Sequence, residues 1–171
     1  MKYSFLILFF FILHCSLIEK TKKTVLQGEN GNLELTISSN VDTISKNEIE
    51  NLRIYVTLKN NFPFTIQSSK FVNSIECEIF RNDVYFHSID RIGGGELEYL
   101  APLFVEFFAP DSSVTAMLYL NIVDICNKKG LPLKGKYKFQ GHYSNQIIND
   151  NEKTPIWVGS IKSNKKDVVI N

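Results

Sequence analysis

The sequence is poor in the residues that most site chemistry needs. It has three cysteines and three histidines, none in a C-x-x-C or H-x-x-x-H spacing. That removes the usual zinc ligand sets, which close a tetrahedron from side chains at short intervals. Neither sign of charge dominates: 19 Lys and Arg stand against 18 Asp and Glu, for a net charge of +1. A nucleic-acid binder needs a basic patch to meet phosphates. The nearest runs, Lys20-Thr21-Lys22-Lys23 and Lys165-Lys166, are short and lie near the two ends, so they read as solvated tether and tail. No G-x-S-x-G elbow occurs, and no glycine-rich stretch leads into the Lys-Ser or Lys-Thr pair of a phosphate loop. Neither a cofactor nor a metal is expected. No segment shows a convincing 3.6-residue period; the best helix candidate, Ser45 to Leu52, has apolar residues only at Ile49 and Leu52 and also reads as a loop.

What is present begins at the amino terminus. Met1-Lys2-Tyr3-Ser4 carries one positive charge, and FLILFFFIL follows from Phe5 to Leu13. A basic start and a short apolar core are the layout of a secretory signal. The run falls short of the ~20 apolar residues that cross a bilayer. The small-x-small site of ordinary cleavage is missing. Instead, Ile12-Leu13-His14-Cys15 resembles the lipobox of bacterial lipoproteins, with Cys15 and Ile12 matching and Leu13 and His14 departing from it. The resemblance implies a signal peptide over residues 1–14, lipidation of Cys15, and a chain held to a bacterial membrane in the cell envelope, periplasmic or surface-exposed. Several acyl chains at about 0.8 kcal/mol per buried methylene would make that attachment stable. The plainer reading of Cys15 is a small apolar residue inside a discarded signal.

Residues 15–32 are polar and glycine-containing and read as a flexible tether. From Leu33 to the end, period-two alternation dominates. Leu33, Leu35 and Ile37 alternate with polar residues, as do Ile54, Val56 and Leu58, and Ile75, Cys77 and Ile79. Arg81-Asn82-Asp83 has hairpin chemistry before a strand from Val84 to Ile89. Val114, Ala116, Leu118, Leu120 and Ile122 form a long inward row, and Tyr137, Phe139, Gly141 and Tyr143 another. Trp157 to Ile161 and Val168 to Ile170 supply the last strands. This pattern predicts an all-β antiparallel sandwich of about seven or eight strands over residues 33–171.

Two stretches resemble immunoglobulin-like or fibronectin-type modules of bacterial envelope proteins. One is LRIYVTLKNN, residues 52–61; the other is the late half, where Leu133, Gly135 and Tyr137 fit "L-x-G-x-Y" and IWVGSIKSN closes the chain. The resemblance implies that Tyr137 returns its hydroxyl to the preceding backbone and that Trp157 packs on the core.

In an exported protein a disulfide between Cys77 and Cys126 is permitted, since both fall on inward strand faces; the alternative is two buried thiols. His87 and His142 have hydroxyl and carboxylate neighbours in sequence, but adjacent strand residues point to opposite faces, so neither is expected to be catalytic. Arg91-Ile92-Gly93-Gly94-Gly95-Glu96 reads as a loop between strands, or more sharply as a binding loop carried by Arg91, Gly93, Gly94, Gly95 and Glu96. Phe62, Phe64, Phe104, Phe107 and Phe108 cluster around turns and either plug the core or form a patch for a partner. The functional expectation is a non-enzymatic, membrane-anchored module that binds a protein partner and no nucleic acid. The alternative is an immunoglobulin-like inhibitor of proteases or other enzymes.

Overall fold

The computed structural model describes residues 25–27, 32–69, 74–90, 105–118, 120–145 and 154–171. The strands are β1 Val25–Gln27, β2 Leu33–Ser39, β3 Thr43–Ile44, β4 Ile54–Asn60, β5 Ile66–Ser69, β6 Ile75–Arg81, β7 Val84–Asp90, β8 Val105–Phe108, β9 Ser113–Leu118, β10 Gly135–Asn145 and β11 Ile156–Ile170. They form two sheets. The smaller runs β2-β4-β9, antiparallel throughout. The larger runs β7-β6-β10-β11-β5-β8, with β1 and β3 laid parallel to β11.

Alternation decides which side faces in. Ile54, Val56 and Leu58 on β4 and Tyr137, Phe139 and Tyr143 on β10 are buried between the sheets, because successive strand residues point to opposite faces. Each such side chain contributes about 1.5–3 kcal/mol by leaving water. The ion pairs outside, such as Lys162–Glu78 at 3.2 Å, are worth roughly 0–1 kcal/mol each when exposed. The apolar layer therefore holds the sandwich together.

The connectivity is immunoglobulin-like. A three-stranded sheet faces a sheet whose order begins β7-β6-β10-β11, and the tyrosine corner lies at the start of β10. Tyr137 Oη donates to Leu133 O at 2.8 Å, four residues upstream. Gly135 has φ +157, and a Cβ there would come within 3.3 Å of Arg81 Nε, so a side chain would push into the guanidinium that braces this corner. Trp157 is buried and stacks on Tyr143 at 5.7 Å.

Four expectations need correction. The inward row starting at Val114 ends at Leu118; Ile122 begins helix α1, Ile122–Lys128. Asn121 caps it by accepting from Asp124 N at 3.1 Å. Its end is a Schellman turn, with Leu131 N donating to Cys126 O at 3.0 Å and Gly130 N to Asn127 O at 3.1 Å. Gly130 at φ +62 permits that turn. A helix this short has no room to show a period. Second, Ser45 to Leu52 is neither α-helix nor open loop but a 3₁₀ turn over Lys46–Asn51. Third, the two last strands are one. A register shift beside Gly141 places Ser163 inward and moves the buried parity from Ile161 to Val168 and Ile170, which breaks the alternation in the sequence without breaking the strand. Fourth, within the expected tether, Val25–Gln27 pairs with Ile156–Val158, so the fold reaches back before Leu33.

Candidate functional site

The two ends of the sandwich are built differently. At one, β6 and β7 join through Asn82 and Asp83, both with positive φ as a tight hairpin requires; α1 and the 3₁₀ turn lie between the strands that end there. At the other, the chain leaves the strand ends Asn60, Asp90 and Asn145, and the next described strand follows after five, fourteen and ten residues respectively. Within the larger sheet the register puts Asp90 and Asn145 at one end, since Glu76 opposes Asp90 and Ile75 opposes Tyr143, and Asn60 reaches the same sheet at Phe108. This is the end at which variable domains carry their binding loops.

That end is held by buried polar side chains. Asn60 is the last inward residue of β4 and fully buried. Its Nδ2 lies 3.1 Å from Phe64 O, 2.8 Å from Phe108 O and 3.0 Å from Ala109 O. Its Oδ1 accepts from Phe62 N at 2.9 Å. Ser68 and Tyr143 share a hydroxyl–hydroxyl bond of 2.7 Å. Asn145 Nδ2 donates to Trp157 O, and Gln67 N to Pro155 O. Buried Gln67 Oε1 has no partner among the described residues. Asn60 substitutes for a sheet ladder where the chain leaves β4 and β8, since a buried backbone carbonyl must find a donor.

At the rim, Phe62 and Phe64 lie 5.2 Å apart. Phe64 is 39% and Phe107 53% exposed, while Phe108 is buried. The cluster therefore divides: one ring plugs the core and two face water. The expected binding loop with Arg91, Gly93, Gly94, Gly95 and Glu96 lies outside the described residues, as do Phe104 and Cys15; β7 delivers the chain to this end at Asp90.

The disulfide that the sequence permits is not formed, and the alternative of two buried thiols holds. Cys77 and Cys126 are free, buried thiols. Cys77 faces inward on β6 as expected, opposite Gly141 and Ile89. Cys126 does not continue the face of β9, because α1 carries it to Tyr137, with Sγ 3.3 Å from Oη. Burial pushes the Cys77 thiol up to about 12, so it is held as an unreactive thiol. Burial, then the Cys126 contact, push the Tyr137 hydroxyl up to about 12.

The outer face of the larger sheet is a charge-compensated lattice. Lys138 bonds Asp83 and lies 3.9 Å from Asp167. His142 Nδ1 is 3.4 Å from Glu76. Lys138 holds the Asp83 carboxyl below its ordinary value, and Asp83 raises Lys138. Among the described residues no group of three or more His, Cys, Asp or Glu could hold a metal ion, and no helix is long and apolar enough to cross a membrane. Two open depressions, of about 370 Å³ beside Ile49, Leu52 and Arg53 and about 340 Å³ beside Asn82 and Lys136, both lie at the hairpin end.

No family model matches the chain, and no curated protein does. Solved structures similar to it include the CARDB domain of a Pyrococcus furiosus protein, at 12% identity and TM-score 0.37 over 81% of this chain and 94% of that one. Another is Spo0M, the sporulation control protein of Bacillus subtilis, at 10% identity and TM-score 0.45 over 82% of this chain and 50% of that one. The immunoglobulin-like assignment rests on strand order and the tyrosine corner.

Alternation alone missed the buried pins. Asn60 was nonetheless readable: it is a polar residue at the inward position after Ile54, Val56 and Leu58. Such a residue needs a dedicated partner. Ser68 and Gln67 sit in a strand too short to show a face.

Proposed function

We propose that this is a non-enzymatic binding module of the bacterial cell envelope, held to the membrane through a lipidated Cys15, which meets a protein partner with the pinned end of its sandwich. The observation that carries the binding reading is the contrast between the ends. One is closed by a hairpin turn and short helices and exposes Val84, Tyr85 and Leu131; the other sets the exposed rings of Phe64 and Phe107 beside a buried frame of Asn60, Ser68, Tyr143 and Asn145. Exposed aromatic rings on a pre-organised frame suit protein contact, because they bury much area at little entropic cost. The anchor rests on the apolar run and the ILHC stretch alone. An inhibitor that inserts this end into an enzyme's cleft would use the same surface, and a protease panel separates it from an adhesion or assembly role.

The test is a paired substitution in the full chain, with binding to the co-purified partner measured. Phe64→Asp with Phe107→Asp abolishes the complex, whereas Tyr85→Asp at the hairpin end leaves it intact. The opposite pattern refutes the reading. An intact mass of native material that begins at another residue and carries no acyl chain refutes the anchor.

A further inference from the structure

The sheet edges are not treated alike. On β2, Ile37 N donates to Asn164 Oδ1 at 3.0 Å, and Asn164 Nδ2 donates to Ile37 O at 3.3 Å. One side chain from β11 thus occupies both backbone groups at the centre of that edge. On β7, the register slips at Phe86, whose ring turns into the core. Lys129 Nζ donates to Phe86 O at 2.6 Å and lies 5.1 Å over its ring. A bulge and a lysine are two of the devices by which proteins blunt an edge.

Among the described residues nothing of the kind guards β9. Asn60 N donates to Ser112 O, which fixes the parity of the ladder. Ile54, Val56 and Leu58 face β9 and pair with Leu118, Ala116 and Val114. The peptide groups of Ser113, Thr115 and Met117 therefore point away from β4, and among the described residues β9 pairs with β4 alone. Ser113–Leu118 contains no charge, proline or glycine. Its outer neighbours form a threonine row: Thr36 opposes Thr57, which opposes Thr115, with the last two hydroxyls 2.8 Å apart.

We propose that the free edge of β9 is an interface with a second copy of this chain. Ser113–Met117 pairs antiparallel with itself about a two-fold axis at Thr115. Thr115 exchanges both backbone bonds with Thr115 of the second copy, and Ser113 does so with Met117. A second copy fits this edge because a residue on a two-fold axis meets its own kind, and Ser113–Leu118 is free of charge along its length. A charge in this strand would meet a like charge. The threonine row would continue unbroken across the axis, and the smaller sheet would double.

The test is oxidation of the full chain in its native membranes. In a hydrogen-bonded antiparallel pair the Cα atoms lie about 5.5 Å apart, within disulfide reach. Thr115→Cys therefore gives a covalent homodimer. Thr57→Cys, whose Cα lies one strand further out on each side, gives no more than the wild type. In detergent, Thr115→Pro, which removes an outward N–H and the exposed hydroxyl bonded to Thr57, halves the particle mass while the chain still melts cooperatively. If that variant loses its melting transition, Thr115→Lys replaces it and halves the mass by like-charge repulsion. No Thr115→Cys homodimer, an adduct with a different protein only, or an unchanged mass in the folded Pro or Lys variant overturns the proposal.

Discussion

The two ends of this sandwich solve the same problem with different materials. At the hairpin end, regular turns and exposed or half-buried side chains share the work. Asn82 and Asp83 supply the turn, the Schellman turn at Gly130 ends α1, Tyr137 ties the corner to Leu133, and Arg81 holds the carbonyls of Pro132 and Lys134. At the opposite end the side chains that do the work are buried: Asn60 holds the backbone beyond β4 and at the end of β8, Asn145 holds a carbonyl of β11, and Ser68 and Tyr143 join β5 to β10. The lesson is one of division. An end built from regular turns has little freedom to vary. An end whose frame is fixed from within by side chains can carry loops of any sequence outside that frame, which is how binding loops are commonly mounted.

That comparison can be pressed by substitution, starting with the largest effect. Trp157→Ala removes the ring stacked on Tyr143 and leaves a cavity beneath the pinned end, costing about 3–5 kcal/mol. Urea denaturation should show a large drop in midpoint; a shift under 1 kcal/mol, far below that range, would mean that this end is not integral to the core. Asn60→Ala comes next. It strips the donor from the buried Phe108 carbonyl and from two part-buried ones and should cost about 1–3 kcal/mol, with faster amide exchange at Phe62, in β5 and in β8 but not in β6. Tyr137→Phe should cost less, about 0.5–1.5 kcal/mol, because Leu133 is only half-buried and water can reach its carbonyl. If Tyr137→Phe costs more than Asn60→Ala, the ranking of the two ends is wrong.

The smallest effect belongs to the outer ion pairs. Lys138 lowers the Asp83 carboxyl, so the pair's stabilisation is present above the ordinary carboxylate value and is lost as pH falls through the lowered one. The carboxylate is fully exposed and screened. Asp83→Asn should therefore leave the melting temperature at neutral pH unchanged within error and slightly flatten its fall at acid pH. A clear drop at neutral pH would show that the lattice on the larger sheet contributes more than solvent screening allows.

The sandwich was legible because period-two alternation reports directly on faces. β4, β6 and β10 read cleanly, and the Tyr137 corner was foreseen down to its hydroxyl. What failed did so where a local device interrupts the period. The shift at Ser163 reversed the buried parity of β11 and made one strand look like two. α1 is too short to declare a helix, and so Cys126 was placed on a strand and offered to Cys77. The pinned end was the least legible part, because its order comes from contacts between residues far apart in sequence, such as Asn60 with Phe108 and Ser68 with Tyr143, which no local pattern encodes.

The account turns on which end meets the partner. Photoreactive side chains placed singly at Phe64 and Phe107, and at Tyr85 and Leu131 on the hairpin side, can be activated in cells carrying the full chain. The account predicts a discrete adduct with another protein from Phe64 and Phe107 and none from Tyr85 or Leu131. Adducts from Tyr85 or Leu131, with silence at Phe64 and Phe107, would contradict it.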